Sequence, residues 1–258
     1  MSAQIKLEKQ DHIAILTMSN PPANTWTRDT LVALKELVLE LNADKNIYSL
    51  VITGEGEKFF SAGADLNVFA SGDKGVAADM SFVFGQAFET LSDFRGVSIA
   101  AINGFAMGGG LEVALACDIR ILEHQAQVAL PEAKVGLLPC AGGTQNLATL
   151  VGEGWAKRMI LCGERLKADK ALQIGLVEEV VETGTALEHA LALAKKVEDQ
   201  SPVAVSACKT LIQQGRTGST RGALPLEREM FVTLFDTKDQ KEGVQAFLEK
   251  RKANWVNG

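Results

Sequence analysis

The chain has 258 residues, 47% of them hydrophobic and 22% charged, with a formal net charge of -6. That is enough apolar material for one large buried core or for a core with an appendage. The acidic balance excludes a general nucleic-acid or membrane-surface binder, because nothing in the composition supplies a basic face; any phosphate-bearing ligand must be met by local Lys or Arg. Cys117, Cys140, Cys162 and Cys208 are scattered, with no Cys-x-x-Cys pair and no His at ligand spacing. No metal site is therefore expected, and free thiols in a reducing compartment fit best. The start Met1 to Leu7 shows neither a secretory signal nor an Arg-rich transit segment, and no apolar run reaches the length of a membrane span, so a soluble cytoplasmic protein is expected.

Taken in chain order, Ile5 to Leu7 and Ile13 to Met18 alternate as two strands around Gln10-Asp11, a hairpin signal. Asn20-Pro21-Pro22 breaks the pattern. Thr27 can cap a helix carrying Leu31, Leu34, Leu37, Val38 and Leu41, which ends near Asn42-Ala43-Asp44. Leu50 to Thr53 reads as a short buried strand, Ala77 to Ser92 as helix, Val97 to Ile102 as strand, Leu111 to Ala116 as helix and Ile119 to Leu122 as strand. This is an α/β order. Trp155 to Leu161, Ala168 to Ile174 and Leu187 to Val197 read as helices, with a late strand from Gly175 to Val181. After Ser201-Pro202 the spacing predicts helices over Val203 to Gln213, Leu226 to Phe235 and Lys238 to Ala253, so residues 1–200 form the core and 201–258 a helical region.

Two corners carry the chemistry. Ile102 to Glu112 runs an apolar strand into Gly108-Gly109-Gly110, with a carboxylate just inside the following helix. Without Cβ atoms that backbone can approach a ligand closely, and the free N–H groups of a helix start face whatever negative charge lies before them. Phe59 to Leu66, after the strand at Leu50, again offers small residues and exposed amides. Two amide donors from separate loops make an oxyanion hole.

At Ser61-Ala62-Gly63-Ala64-Asp65-Leu66, Ala100 to Gly104, Gly108 to Glu112, Cys117-Asp118-Ile119, Leu130-Pro131-Glu132, Ala141 to Gln145 and Phe247 to Arg251, in that order and spacing, the sequence resembles the enoyl-CoA hydratase (crotonase) family over nearly its whole length. The resemblance implies an α/β fold in which strand-strand-helix turns form a spiral core. It implies that the C-terminal helices assemble subunits into a homotrimer or, as a dimer of trimers, a homohexamer. It implies hydration of trans-2-enoyl-CoA to 3-hydroxyacyl-CoA, with the amides of Ala64 and Gly109 as oxyanion donors, Glu112 activating water and Glu132 protonating the α-carbon. It implies that Ala62, Ala64 and Leu66 cup the adenine of coenzyme A, and that Phe247 and Lys250, read as neighbours on one helix face, reach coenzyme A on an adjacent subunit. The mechanism needs no cofactor, coenzyme A being part of the substrate.

Several positions depart from the family pattern. Cys140 stands where many relatives have Gly, at the expected water-binding corner; Asn146 replaces a common Arg on the expected active-site wall; Asn67 replaces a Lys, weakening phosphate or ribose recognition; and Trp26 is expected to trim the acyl pocket. A doubly wound sheet fits less well, since Gly104-x-x-x-Gly108-Gly109-Gly110 lacks the dinucleotide spacing. Ser-His-Asp chemistry finds no support, because His12, His124 and His189 lie far in sequence from any strained Ser turn. The remaining alternatives are another crotonase-type reaction (isomerisation, thioester hydrolysis or decarboxylation) and a non-catalytic binding member, the latter opposed by the acidic charge.

Overall fold

The computed structural model describes residues 4–216 and 218–258. Strands β1 (Ile5–Gln10) and β2 (Ile13–Met18) pair antiparallel as the expected hairpin. Helix α1 (Arg28–Ala43) begins at a reciprocal cap: the Thr27 hydroxyl accepts from the Thr30 amide, and the Thr30 hydroxyl accepts from the Thr27 amide. It buries Leu31, Leu34, Val38 and Leu41, one apolar stripe at helical spacing.

A strand-strand-helix unit then recurs three times among the described residues: β3 (Ser49–Gly54), β4 (Phe59–Ser61), α2 (Lys74–Ser92); β5 (Val97–Ile102), β6 (Phe105–Met107), α3 (Gly109–Ala116); and β7 (Ile119–Glu123), β8 (Gln127–Ala129), α4 (Gly143–Leu161). Strand β9 (Leu166–Lys167), helix α5 (Ala168–Gln173), strand β10 (Glu179–Val181) and helix α6 (Ala186–Val197) follow. The first strand of each unit joins a six-stranded sheet ordered β1-β2-β3-β5-β7-β10, and the second joins a four-stranded sheet ordered β4-β6-β8-β9. From β3 to β8 consecutive strands thus alternate between sheets, which excludes the doubly wound alternative and gives the spiral that the resemblance implies.

The larger sheet is covered on both sides. Leu50, Ile52, Ala100 and Ile102 belong to the main core with α1, α2 and α3, while Val51, Ile99 and Ile121 pack on Ala186, Ala190 and Ala194 of α6. Alanines four apart place no bulk on that face, so α6 can lie close to the sheet. This double burial explains why β3 and β5 read as continuous apolar runs rather than as alternation.

Four expectations need correction. The late strand is only Glu179–Val181, because Gly175 turns the chain at φ 76°. Helix α4 starts at Gly143 rather than Trp155; Gly152, at φ 76° inside it, interrupts the pattern from which its start was read. The helix expected over Leu226 to Phe235 runs from Thr220 to Thr233 (α8), then tightens to a 3-10 turn over Leu234–Asp236. The last helix, α9 (Lys238–Glu249), stops well before Ala253.

From Pro202 onward the described elements are helical: α7 (Pro202–Gln214), α8, the 3-10 turn and α9. Helix α7 is tied to the core by Lys209, whose Nζ donates to the carbonyl of Phe94 (2.6 Å) and meets the Asp118 carboxylate at 2.8 Å. Helix α8 buries none of its residues, and Phe231 and Val232 on it, with Phe235 just beyond, stay exposed.

Candidate active site

Strands β4, β6 and β8 run parallel, with Ser61 beside Ala106 and Met107 beside Ala129. Their carboxyl ends emerge side by side, and each leads directly into one of the segments singled out in the sequence: Ala62 to Leu66, Gly108 to Glu112, and Leu130 to Glu132. Chains that leave parallel strands toward different helices diverge there and open a crevice, the usual ligand site of α/β folds.

The first corner is shaped by backbone contacts that sequence spacing does not reveal. The Ser61 hydroxyl donates to the Asn24 carbonyl (2.7 Å) and accepts from the Gly63 amide (3.2 Å). The Asn24 side-chain amide donates to the carbonyls of Glu55 (3.0 Å) and Phe59 (2.9 Å). The Trp26 amide donates to Gly63 (2.8 Å), and the Asp65 amide donates to Trp26 (3.1 Å). Ala64 is thereby paired on one side only, so its own N–H faces away from Trp26 and has no acceptor among the described residues.

At the second corner Gly108 has φ 54°, a left-handed turn that delivers Gly109 to the start of α3. The Gly109 N–H belongs to the first helical turn, which has no intrahelical acceptor, and it finds none elsewhere among the described residues. Gly110 packs so closely on β4 that a Cβ there would lie 2.1 Å from the Ser61 carbonyl oxygen. Every residue of α3 is buried, Glu112 included.

The two glutamates are held differently. Glu112 is 3% exposed, and its Oε1 accepts from the Ala141 amide (2.8 Å) and the Gly143 amide (2.9 Å) at the start of α4. Burial pushes its carboxyl above the usual range while those two N–H groups partly restore the anion. Glu132 opens a 3-10 turn over Glu132–Val135, and both its carboxyl oxygens are buried without a protein partner. Its carboxyl lies against Gly108, where a Cβ would stand 2.9 Å from Oε1. Burial first, and the Glu112 charge in addition, push it up to about 7. One carboxyl is fixed by two donors and the other is free near neutrality, an arrangement able to take a proton at one point and give one at another.

A cavity of about 790 Å³ brings together Ala62, Ala64, Leu66, Gly109, Glu112 and Glu132. Cys140 lines it as well, its thiol pushed up to about 11 by desolvation and then by the two carboxylates. Phe247 and Lys250 lie outside it. Phe247 is 83% exposed, and Lys250 is not on a helix face with Phe247, because α9 ends at Glu249 and Lys250 caps it in the left-handed conformation (φ 56°). Trp26 and Asn146 are also not on the wall: Trp26 is fully buried behind it, and Asn146 sits over the Gly142 turn. Asn67 is spent locally, donating to the Asp65 carboxylate (2.8 Å). Asn24, Ser61 and the Ala141 and Gly143 amides were not assigned from sequence; the last two lie in a quoted motif whose role only the fold reveals.

Residues 8–258 match the family described as Enoyl-CoA hydratase/isomerase. The short-chain-enoyl-CoA hydratase of Clostridium acetobutylicum is 39% identical, over 95% of both chains. The 2,3-dehydroadipyl-CoA hydratase of Escherichia coli (strain K12) is 39% identical, over 96% of this chain and 97% of that one. Among solved structures, Pseudomonas aeruginosa DspI superposes with a TM-score of 0.96 at 63% identity, covering 98% of this chain and 97% of that one. The Bacillus anthracis enoyl-CoA hydratase superposes with a TM-score of 0.95 at 34% identity, covering 99% and 100%. The spiral of alternating strands is the crotonase fold. The chain belongs to the enoyl-CoA hydratase/isomerase family.

Proposed function

We propose that this protein hydrates trans-2-enoyl-CoA thioesters to 3-hydroxyacyl-CoA. The observation that carries the reading is one cavity lined by two residues whose backbone N–H groups have no acceptor among the described residues, Ala64 and Gly109, and by two carboxyls in unlike environments. Attack of water on the β-carbon of a conjugated thioester moves negative charge onto the thioester oxygen. The N–H groups of Ala64 and Gly109 stabilise that charge, and losing one such donor costs about 3 kcal/mol of transition-state stabilisation. Glu112, anchored by two amides, takes the proton of the attacking water; Glu132, protonated near neutrality, gives one to the α-carbon. The sum adds one water and leaves the pair with a single proton, now on Glu112, to be returned before the next turnover.

Ala62 and Leu66 stand at the same cavity and are assigned to the nucleotide end of coenzyme A. Phe247 and Lys250, exposed and outside their own chain's cavity, are assigned to coenzyme A on an adjacent subunit of a trimer or hexamer. The hydratase names of the relatives in Clostridium acetobutylicum and Escherichia coli support the reaction class. Mixing the protein with crotonyl-CoA tests it: loss of the conjugated enoyl-thioester absorbance with a product heavier by one water is expected, whereas a product of unchanged mass or free coenzyme A would point to isomerisation or hydrolysis.

A further inference from the structure

Trp26 is 1% exposed, and its indole Nε1 has no acceptor in the protein. A buried N–H without a partner is a cost that Leu or Phe would not bring, so the indole's presence calls for a reason beyond filling space. Its contacts supply one. Its main chain bonds to both neighbours of Ala64, accepting from Asp65 and donating to Gly63, and so fixes the direction of the Ala64 N–H. Its ring reaches the other corner: a Cβ built on Gly109 would lie 3.5 Å from Trp26 Cδ1 and 3.0 Å from Phe84 Cε1. Behind it the indole meets Phe88 edge-on at 5.5 Å, and Phe88 meets Phe84 edge-on at 5.7 Å. The two corners also abut directly, since a Cβ on Gly63 would stand 2.6 Å from the Met107 carbonyl and 3.1 Å from the Gly109 amide nitrogen.

Resting on the oxyanion-hole reading above, we propose that Trp26 is a positioning residue that sets the spacing of the two donors, its main chain orienting Ala64 and its indole, braced by Phe84 and Phe88, holding the Gly109 turn. Charge stabilisation at an oxyanion depends on donors being fixed before the charge develops, and small misplacements weaken it steeply. A large rigid ring packed against the Gly109 turn, on a main chain bonded to the Ala64 turn, provides that fixity; a flexible Leu would keep the main-chain bonds but leave the Gly109 turn unbraced.

The test compares Trp26→Leu and Trp26→Phe with the wild-type protein in two readouts. The first is kcat and KM for crotonyl-CoA. The second is the fraction of bound acetoacetyl-CoA held as its enolate, read from the enolate's near-ultraviolet absorbance at fixed pH, which reports donor placement without turnover. Trp26→Leu should lower kcat about tenfold with KM nearly unchanged and should reduce the bound enolate fraction in parallel; Trp26→Phe, which keeps a flat ring in place, should recover most of both. Should Trp26→Leu fail to fold, Phe88→Leu, which withdraws the ring packed against the indole, carries the same two expectations. A folded Trp26→Leu variant with wild-type kcat and enolate fraction would overturn the proposal, as would a change confined to KM or a wild-type protein that holds no enolate. Conversely, a wild-type protein that hydrates nothing yet stabilises the enolate, an ability lost in Trp26→Leu, would sink the hydratase reading and leave this one standing.

Discussion

Glu132 illustrates how one residue's surroundings set its chemistry. Two buried oxygens with no donor, beside a second carboxyl, move its proton loss from the ordinary 4.5 up to about 7. Hydration consumes no net proton, so forward and reverse kcat/KM must share one pH dependence, and in the proposed mechanism the active form is the glutamate pair holding a single proton. Both should therefore fall as the pH rises through about 7, where Glu132 gives that proton up; profiles of hydration and dehydration across neutrality check this, and a flat profile would contradict it. The same shift acts on stability. A carboxyl whose folded value is raised favours the folded state below 4.5 and loses that contribution as the pH rises through about 7. Glu132→Gln, which cannot ionise, should accordingly melt at a temperature near that of the wild type in acid and gain on it by a few degrees at pH 8, as read by calorimetry. Both glutamates were legible in the sequence because each follows a short motif. Asn24 and Ser61 were not, because they bond to backbone groups contributed by other segments, and Trp26 was expected on the acyl-pocket wall although it lies buried behind it.

At the scale of elements, α3 positions the site because it is pressed into the protein on all sides, and its second glycine allows the contact with β4. Gly110→Ala would force a Cβ to within 2.1 Å of the Ser61 carbonyl, so strand and helix must separate. Chemical denaturation should show a loss of about 2–3 kcal/mol, and both corners should move, lowering turnover as well. An unchanged denaturation midpoint would show that the two elements are not locked together. Helices α1 and α6 announced themselves through apolar residues at helical spacing, whereas β4, β6 and β8 span three residues each, too few for any alternation to register. The sheet that carries the site was thus the part least visible in the sequence, although the motifs at its strand ends were clear. Helix α4 was half visible, since the positive φ of Gly152 breaks the apolar pattern where the chain continues as helix.

The whole molecule leaves Phe231, Val232 and Phe235 exposed around a helix that buries nothing of its own. We read this apolar face as an association surface, in keeping with the trimer or pair of trimers that the family resemblance implies. Light scattering should give a mass several times that of one chain, and Phe231→Glu combined with Phe235→Glu should lower it; a monomeric wild-type protein would defeat this expectation. Lys250→Ala should raise KM several-fold with kcat nearly unchanged if Lys250 touches only the nucleotide end of the substrate on a neighbouring subunit. Truncation from Lys241 would be a poorer probe, because it also removes Asn257, whose side chain ties the C-terminal segment to the Lys45 carbonyl at 2.7 Å. The proposed reaction turns on one event, the transfer of two protons around a polarised double bond. That event is measured most directly by following crotonyl-CoA absorbance with the wild-type protein, Glu112→Gln and Glu132→Gln at neutral pH, with circular dichroism and coenzyme A binding recorded for each. The wild-type protein should consume the enoyl thioester and yield the hydrated product, and each variant should be slower by about a hundredfold or more while remaining folded and able to bind coenzyme A; near wild-type turnover in either variant would remove that glutamate from the chemistry and contradict the two-carboxyl mechanism.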